Sequence, residues 1–218
     1  DADTTPRTKA DLSTKTETSA LDFSNKLREL VQAGDYKGAL EHIARSKSNT
    51  LEGKIAGLLA KLNDNTVALA EKRNMVSDEN GSIRSVGGAY LPTSHSIMLS
   101  HLTSGDFKTF IHEAVHSATS NVISRVMEGN TTGLGFREKW AASRLLETYE
   151  QAKKLSKNPD LYGWKNPKEF LSEVMSSNQF RNELKGIELP GSKWSTMYHK
   201  VVDEVRQILG LPDKPNYN

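Results

Sequence analysis

DFKTFIHEAVHSATSNVISRVMEG, residues 106–129, carries the pattern that organises this chain of 218 residues. Apolar side chains recur in it at helical spacing: Phe107, Phe110, Ile111, Ala114, Val115, Ala118, Val122 and Val126. Ser104 or Asp106 can cap the helix at its start, and Gly129 stops it. At about 100° per residue the apolar stripe centres on Ile111, Ala118 and Val122. His112 and His116 fall about 110–150° from that centre, so they flank the core face. The spacing therefore sets two imidazoles on one side of a helix whose other side is bound for the core.

Residues four apart on a helix point the same way, so His112 and His116 can share one metal ion. Neutral imidazole nitrogen is a good zinc ligand, and zinc accepts a tetrahedral site with one position left for water. Glu113 follows His112 and stands beside that open position, where it can take a proton from a metal-bound water. Zinc needs a third protein ligand. Position 119 is Thr and position 122 is Val, so no histidine follows at the metzincin spacing. His42, His95, His101 and His199 have no helical pairing with the motif, and the chain has no cysteine. A carboxylate is the natural candidate, from among Glu128, Glu138, Glu147, Glu150, Asp160, Glu169 and Glu173. Glu147 and Glu150 read as solvated charges on a highly charged helix. Glu169 and Glu173 lie four apart on one helix face, beside the core-facing Phe170, Leu171 and Val174. Each also has a plainer reading. Glu169 stands three residues after Asn166, the position of a capping-box acid. Glu173 can be an outer acceptor for an imidazole N–H, or a surface charge.

Working outward, the elements follow from period and punctuation. Residues 1–18 are polar and rich in Thr, Asp and Lys, and read as a mobile tail or linker. Helical patterning starts near Ser19 and closes at Gly34. It resumes through Tyr36, Leu40 and Ile43, and again through Leu51, Ile55, Leu59 and Leu62. These segments make a helical lobe over 19–63. Residues 64–218 form the expected catalytic domain. Val67 and Leu69 alternate as in a strand, and Asn80-Gly81 and Gly87-Gly88 mark turns. AYLPTSHSIMLS, residues 89–100, reads as a hairpin with Ile97 and Leu99 on one side. Either strand of it, Gly88–Leu91 or Ile97–Leu99, could add to an extended peptide, or the sheet could simply cover the helix. Further helices run from about Phe136 to Leu155, from Asn166-Pro167 onward, and from Trp194 to Leu209. Trp140, Trp164 and Trp194 read as core or lobe contacts rather than ligand stackers.

Composition removes several classes. Without cysteine there are no disulfide scaffolds, thiolate zinc fingers, iron–sulfur clusters or thiol nucleophiles. The charge is +2, from 29 Lys+Arg against 27 Asp+Glu, which disfavours a dedicated nucleic-acid binder. No apolar run approaches the ~20 residues of a membrane span. The chain opens on Asp1 rather than Met, the expectation for a processed chain or a domain of a longer one.

HEAVH at 112–116, taken with YGWKNPKEFLSEVMSS at 162–177, resembles the zinc peptidase domain of anthrax lethal factor and its relatives. Tyr162 and Glu169 stand seven apart, as a tyrosine and a zinc-binding glutamate do in that family. The resemblance implies that His112, His116 and Glu169 bind Zn2+ and that Glu113 is the general base. It further implies that Tyr162 donates a hydrogen bond to the oxyanion of a tetrahedral intermediate. The chain is also similar to metallopeptidase-like domains of bacteriophage large polyvalent proteins, whose "SNxxF" tail matches Ser177-Asn178-Gln179-Phe180. The resemblance covers about residues 36–185, and most of its specificity lies in two short windows. The toxin's substrate-recognition domains have no counterpart here, so its substrate does not carry over.

The expectation is a helix-dominated α+β fold of the minimal zincin type, with a small twisted sheet over the HExxH helix. The expected activity is zinc-dependent hydrolysis of peptide bonds in a peptide or protein substrate. The remainder of a larger phage polypeptide is the expected partner. A virion, or host cytoplasm after injection, would be compatible with the resemblance, and composition assigns no compartment. The competing readings are a zinc-stapled module that does not cleave, and a nucleic-acid-associated module, which the near-zero net charge disfavours.

Overall fold

The computed structural model describes residues 9–62, 67–72, 87–189, 192 and 195–209. The fold is α+β and dominated by helices. In chain order it runs α1 (Lys9–Gln32), α2 (Tyr36–Ser46), α3 (Leu51–Leu62), β1 (Ala68–Lys72), β2 (Gly88–Leu91) and β3 (Ser96–Ser100). There follow α4 (Phe107–Met127), α5 (Phe136–Leu155), a 3₁₀ turn (Tyr162–Trp164), α6 (Pro167–Ser176), α7 (Asn178–Lys185) and α8 (Met197–Ile208). No helix among the described residues is long and apolar enough to cross a membrane.

The first helix starts ten residues before the expected Ser19, so residues 9–18, expected as tail, continue it. Residues 1–8 lie outside the described part. Gly34, at φ +71°, ends α1. The Asp35 N–H bonds back to Leu30 O at 2.9 Å, and the Asp35 carboxylate then caps α2 through the Gly38 N–H at 2.8 Å. One Gly-Asp pair thus turns the chain and starts the next helix. Apolar residues from α1 to α8 join a single buried cluster, with Leu27, Leu40 and Ile55 in the same core as Phe110, Leu145, Phe170 and Val205.

Among the described residues the sheet has three strands in the order β1-β3-β2. β3 is central, parallel to β1 and antiparallel to β2. Ile97 and Leu99 are fully buried on its inner side. Because both sides of β3 are paired, Ile97–Leu99 cannot add to a peptide, and only the β2 half of the edge expectation survives. Ser100 N donates to Gly87 O at 2.8 Å. By the alternation of an antiparallel ladder, Gly88 and Tyr90 then turn their backbone groups away from β3. Gly87-Gly88, expected as a turn, is a bend that opens β2. Asn80-Gly81 lies outside the described residues.

The central helix α4 is capped by Asp106, whose carboxylate accepts from Lys108 N at 3.1 Å and Thr109 N at 3.3 Å. Ser104, the other candidate cap, is buried and donates to Glu71 Oε1 at 2.8 Å instead. The apolar stripe also departs from expectation. Phe110, Ile111, Ala114, Val115 and Ile123 are buried, but Ala118 and Val122 are only half-buried, while Glu113, His116, Thr119 and Ser120 are buried. The reason is that α3, α5, α6 and the sheet all pack on α4, so burial is not confined to one stripe. Trp164 is buried among Tyr149, Phe170 and Phe180. Trp140, expected in a core or lobe contact, is instead 44% exposed, with the Arg144 guanidinium 4.5 Å from its ring centroid. Trp194 lies outside the described residues.

Candidate metal centre

Two helices bring the donors together. α4 supplies His112 and His116, whose ring centroids are 4.9 Å apart. α6 packs on α4 and supplies Glu169 from its first turn. Asn166 makes that placement possible. Its own Oδ1 accepts from Lys168 N and Glu169 N, each at 3.0 Å, and caps the helix. The Glu169 carboxylate turns to the imidazoles instead of reaching back to the Asn166 N–H as a capping-box acid would. Glu169 Oε2 lies 3.1 Å from His112 Nε2 and 3.1 Å from His116 Nε2. One ligand atom from each of His112, His116 and Glu169 lies within 4.8 Å of the others, so this group could hold a metal ion. Glu128, Glu147, Glu150 and Asp160 are exposed. The remaining histidines bond elsewhere: His42 to Phe23 O, His95 to Tyr90, His101 to Glu71, and His199 to Ser195 and Thr196.

Glu173 stands one turn further along α6, with Oε1 3.3 Å from His112 Nδ1. Ser176 Oγ also lies 3.3 Å from that nitrogen, while donating to Ser172 O at 2.8 Å. His112 therefore meets Glu169 through Nε2 and Glu173 with Ser176 through Nδ1, which fixes its ring plane. Ser176 had no sequence signal, because a small hydroxyl residue late in a helix fits any surface.

Glu113 is buried under β2. Burial pushes its carboxyl above the usual range and the charge of Glu169 adds to this, while His112, His116 and a hydrogen bond from the Tyr90 backbone work against it. A Cβ on Gly88 would lie 3.0 Å from Glu113 Cγ and 2.9 Å from Leu99 Cδ2. Gly88 thus lets the strand pass close over this side chain, a role its placement as a turn signal did not suggest. Burial works against charge on His112, yet hydrogen bonds to Glu169 and Glu173 outweigh it and push the imidazole up to about 9. Burial likewise opposes the Glu169 charge, but both imidazoles hold its carboxyl well below the usual range.

Tyr162 sits on the 3₁₀ turn, 53% exposed, with its ring centroid 6.3 Å from that of His112. Burial of part of the phenol, and the charge of Glu169 with a hydrogen bond to it, push the hydroxyl well above its usual range. It stays a proton donor at any ordinary pH. The turn is anchored from several sides. Tyr149 Oη donates to Trp164 O at 2.8 Å, and Trp164 Nε1 donates to Asn158 O at 3.1 Å. A Cβ on Gly163 would meet the Phe180 ring at 2.5 Å, so glycine is required for this packing. All six residues singled out in the sequence thus stand around one point, on α4, α6 and the turn before α6.

Comparison with protein-family models, with curated proteins and with solved structures returns no match.

Proposed function

We propose that this chain is a zinc-dependent endopeptidase. The observation that supports it most is the convergence of His112, His116 and Glu169 from two helices, with Glu113 buried beside them. Ligand atoms on a tetrahedral zinc at 2.0–2.2 Å sit about 3.3 Å or slightly more apart. The two 3.1 Å separations between Glu169 Oε2 and the imidazole nitrogens need little adjustment to meet that spacing. Two nitrogens and one oxygen, with no thiolate, make the donor set of a catalytic zinc site more than a structural one. When bound there, zinc supplies a Lewis-acid charge that acidifies water and polarises a carbonyl.

The chain's own residues supply the rest. Glu113, made more basic by burial, takes the proton of the attacking water and later passes it to the leaving amine. Tyr162 keeps its proton and donates a hydrogen bond to the developing oxyanion. Glu173 and Ser176 hold His112 in place. The likeness to phage polyvalent-protein domains supports a place within a larger polypeptide.

Zinc content and cleavage of a degenerate peptide library, measured on the same samples, test this reading. The expected result is one zinc per chain, with cleavage that falls about 10²–10⁴-fold in Glu113→Gln while zinc is retained. Stoichiometric zinc without cleavage would favour a stapled, non-cleaving module. DNA binding that weakens steeply with salt would favour the nucleic-acid reading.

A further inference from the structure

Beside the metal centre lies a cleft of about 760 Å³ that the reaction chemistry leaves without a use. Leu59 and Leu62 of α3, Tyr90 and Pro92 of the hairpin, and Val122 of α4 are in its lining. It adjoins the centre on both supporting helices. Ser117 in its lining follows His116, Ser120 lies one helical turn beyond His116, and Lys168 precedes Glu169. Tyr90 contributes to both places, because its backbone bonds Glu113 while the residue lines the cleft.

The chemistry of the walls is selective. Leu62 is a large apolar side chain left 48% exposed at the cleft. The volume lies within the range of ligand sites, which bury apolar groups against apolar walls. Among the described residues no carboxylate lines the cleft, and Lys168 supplies positive charge there, which repels a basic side chain. Among the described residues β2 has a strand on one side only, and it lies over Glu113. An extended peptide aligned with β2 presents alternate side chains to the same side.

Resting on the peptidase reading, we infer that this cleft is the specificity subsite of the same centre, and that it selects a large apolar side chain of an extended peptide close to the scissile bond. Helix α3 then belongs to the substrate site and is more than a support for the core.

The test uses the zinc-loaded Glu113→Gln protein and labelled Gly/Ser/Ala peptides carrying one Leu, Phe, Ala or Lys, with binding read by fluorescence anisotropy. Leu and Phe peptides should bind at least about tenfold tighter than Ala, as expected from burying such a side chain, and Lys should bind no better than Ala. Leu62→Glu and Ser120→Phe in the lining should each cut that preference to about twofold or less, with zinc content unchanged. Cleavage sites of the wild-type protein should carry Leu, Phe or Met at one fixed position from the cut. Equal binding of all peptides, or a preference that survives both substitutions, would overturn the inference. Selective binding by a wild-type protein that never cleaves would uphold the cleft and refute the peptidase reading. No binding of any peptide would refute both.

Discussion

Glu169 is a position where two uses compete for one carboxylate. Three residues after Asn166 it could have accepted from the Asn166 N–H, but its carboxylate meets both imidazoles, while the Asn166 side chain caps the helix through the Lys168 and Glu169 N–H groups. Glu169→Ala should therefore leave circular dichroism nearly unchanged while zinc affinity falls by more than the 10–100-fold expected on removing an outer partner such as Glu173. Competition against a chelator of known affinity measures both. Retained zinc in Glu169→Ala, with loss in Glu173→Ala, would move the ligand by one helical turn. Protonation gives a second measurement. Without metal, His112 keeps its proton to about pH 9, against 6.5 for the free side chain. That interaction stabilises the metal-free fold fully below about 6.5 and is lost as pH rises through 9. Zinc must expel the proton, so its affinity should rise with pH to about 9 and then level off. Calorimetry at pH 8 in buffers of different ionisation enthalpy should show about one proton released per zinc.

Helices and strands set these residues where they act, and they were legible to different degrees. The bounds of α5 and the start of α6 were readable, because Phe136, Leu145 and Leu155 keep helical period and Asn166-Pro167 is a strong start signal. The early start of α1 was not, because residues 9–18 carry little apolar patterning. Helix α7 has little period to read, since Phe180 and Leu184 are its sole large apolar residues. The burial of α4 on several sides was hidden for another reason, since a period reports one helix and not what surrounds it. Gly88→Ala tests the contact between β2 and α4. The added methyl must displace Glu113 or Leu99, which should cost about 1–3 kcal/mol and lower turnover while zinc stays bound. Activity equal to wild type would show that β2 does not position Glu113. Between α5 and α8, Glu204 is buried, accepts from Thr148 Oγ1 at 2.9 Å, and has Arg144 Nε at 3.6 Å. Burial pushes its carboxyl up to about 7. A raised carboxyl stabilises the fold most below about 4.5, and this is lost as pH rises through 7, by on the order of 3 kcal/mol. Denaturant unfolding of Glu204→Gln should be flatter than wild type across that window. Parallel curves would place the proton elsewhere.

At the scale of the whole molecule, the helices before residue 63 are tied to the site-bearing helices by more than apolar packing. Arg181 on α7 donates to Glu52 Oε1 on α3 at 2.6 Å, and also to Val174 O and to Asn178. Both charges are buried. Arg181→Met alone strands Glu52 and should cost about 3–5 kcal/mol, whereas adding Glu52→Leu should recover most of the loss. No recovery in the double variant would mean the helices are held by packing alone. This pairing across 129 positions had no local signature. The α+β class and the helical majority did, because each rests on periods within short windows. The same contrast holds for the site. HEAVH and NPKE are local patterns, while Gly88, Ser176 and the α3 wall of the cleft are products of assembly. In the proposed centre two helices hold one zinc through His112, His116 and Glu169, and Glu113 serves as the base. A zinc-bound crystal structure, with the metal located by anomalous scattering, measures it most directly. The expected result is one ion with His112 Nε2, His116 Nε2 and a Glu169 oxygen at about 2.0–2.2 Å, and its fourth position on the Glu113 side. An ion held through Glu173 or Glu113, or sited away from α4, would contradict it.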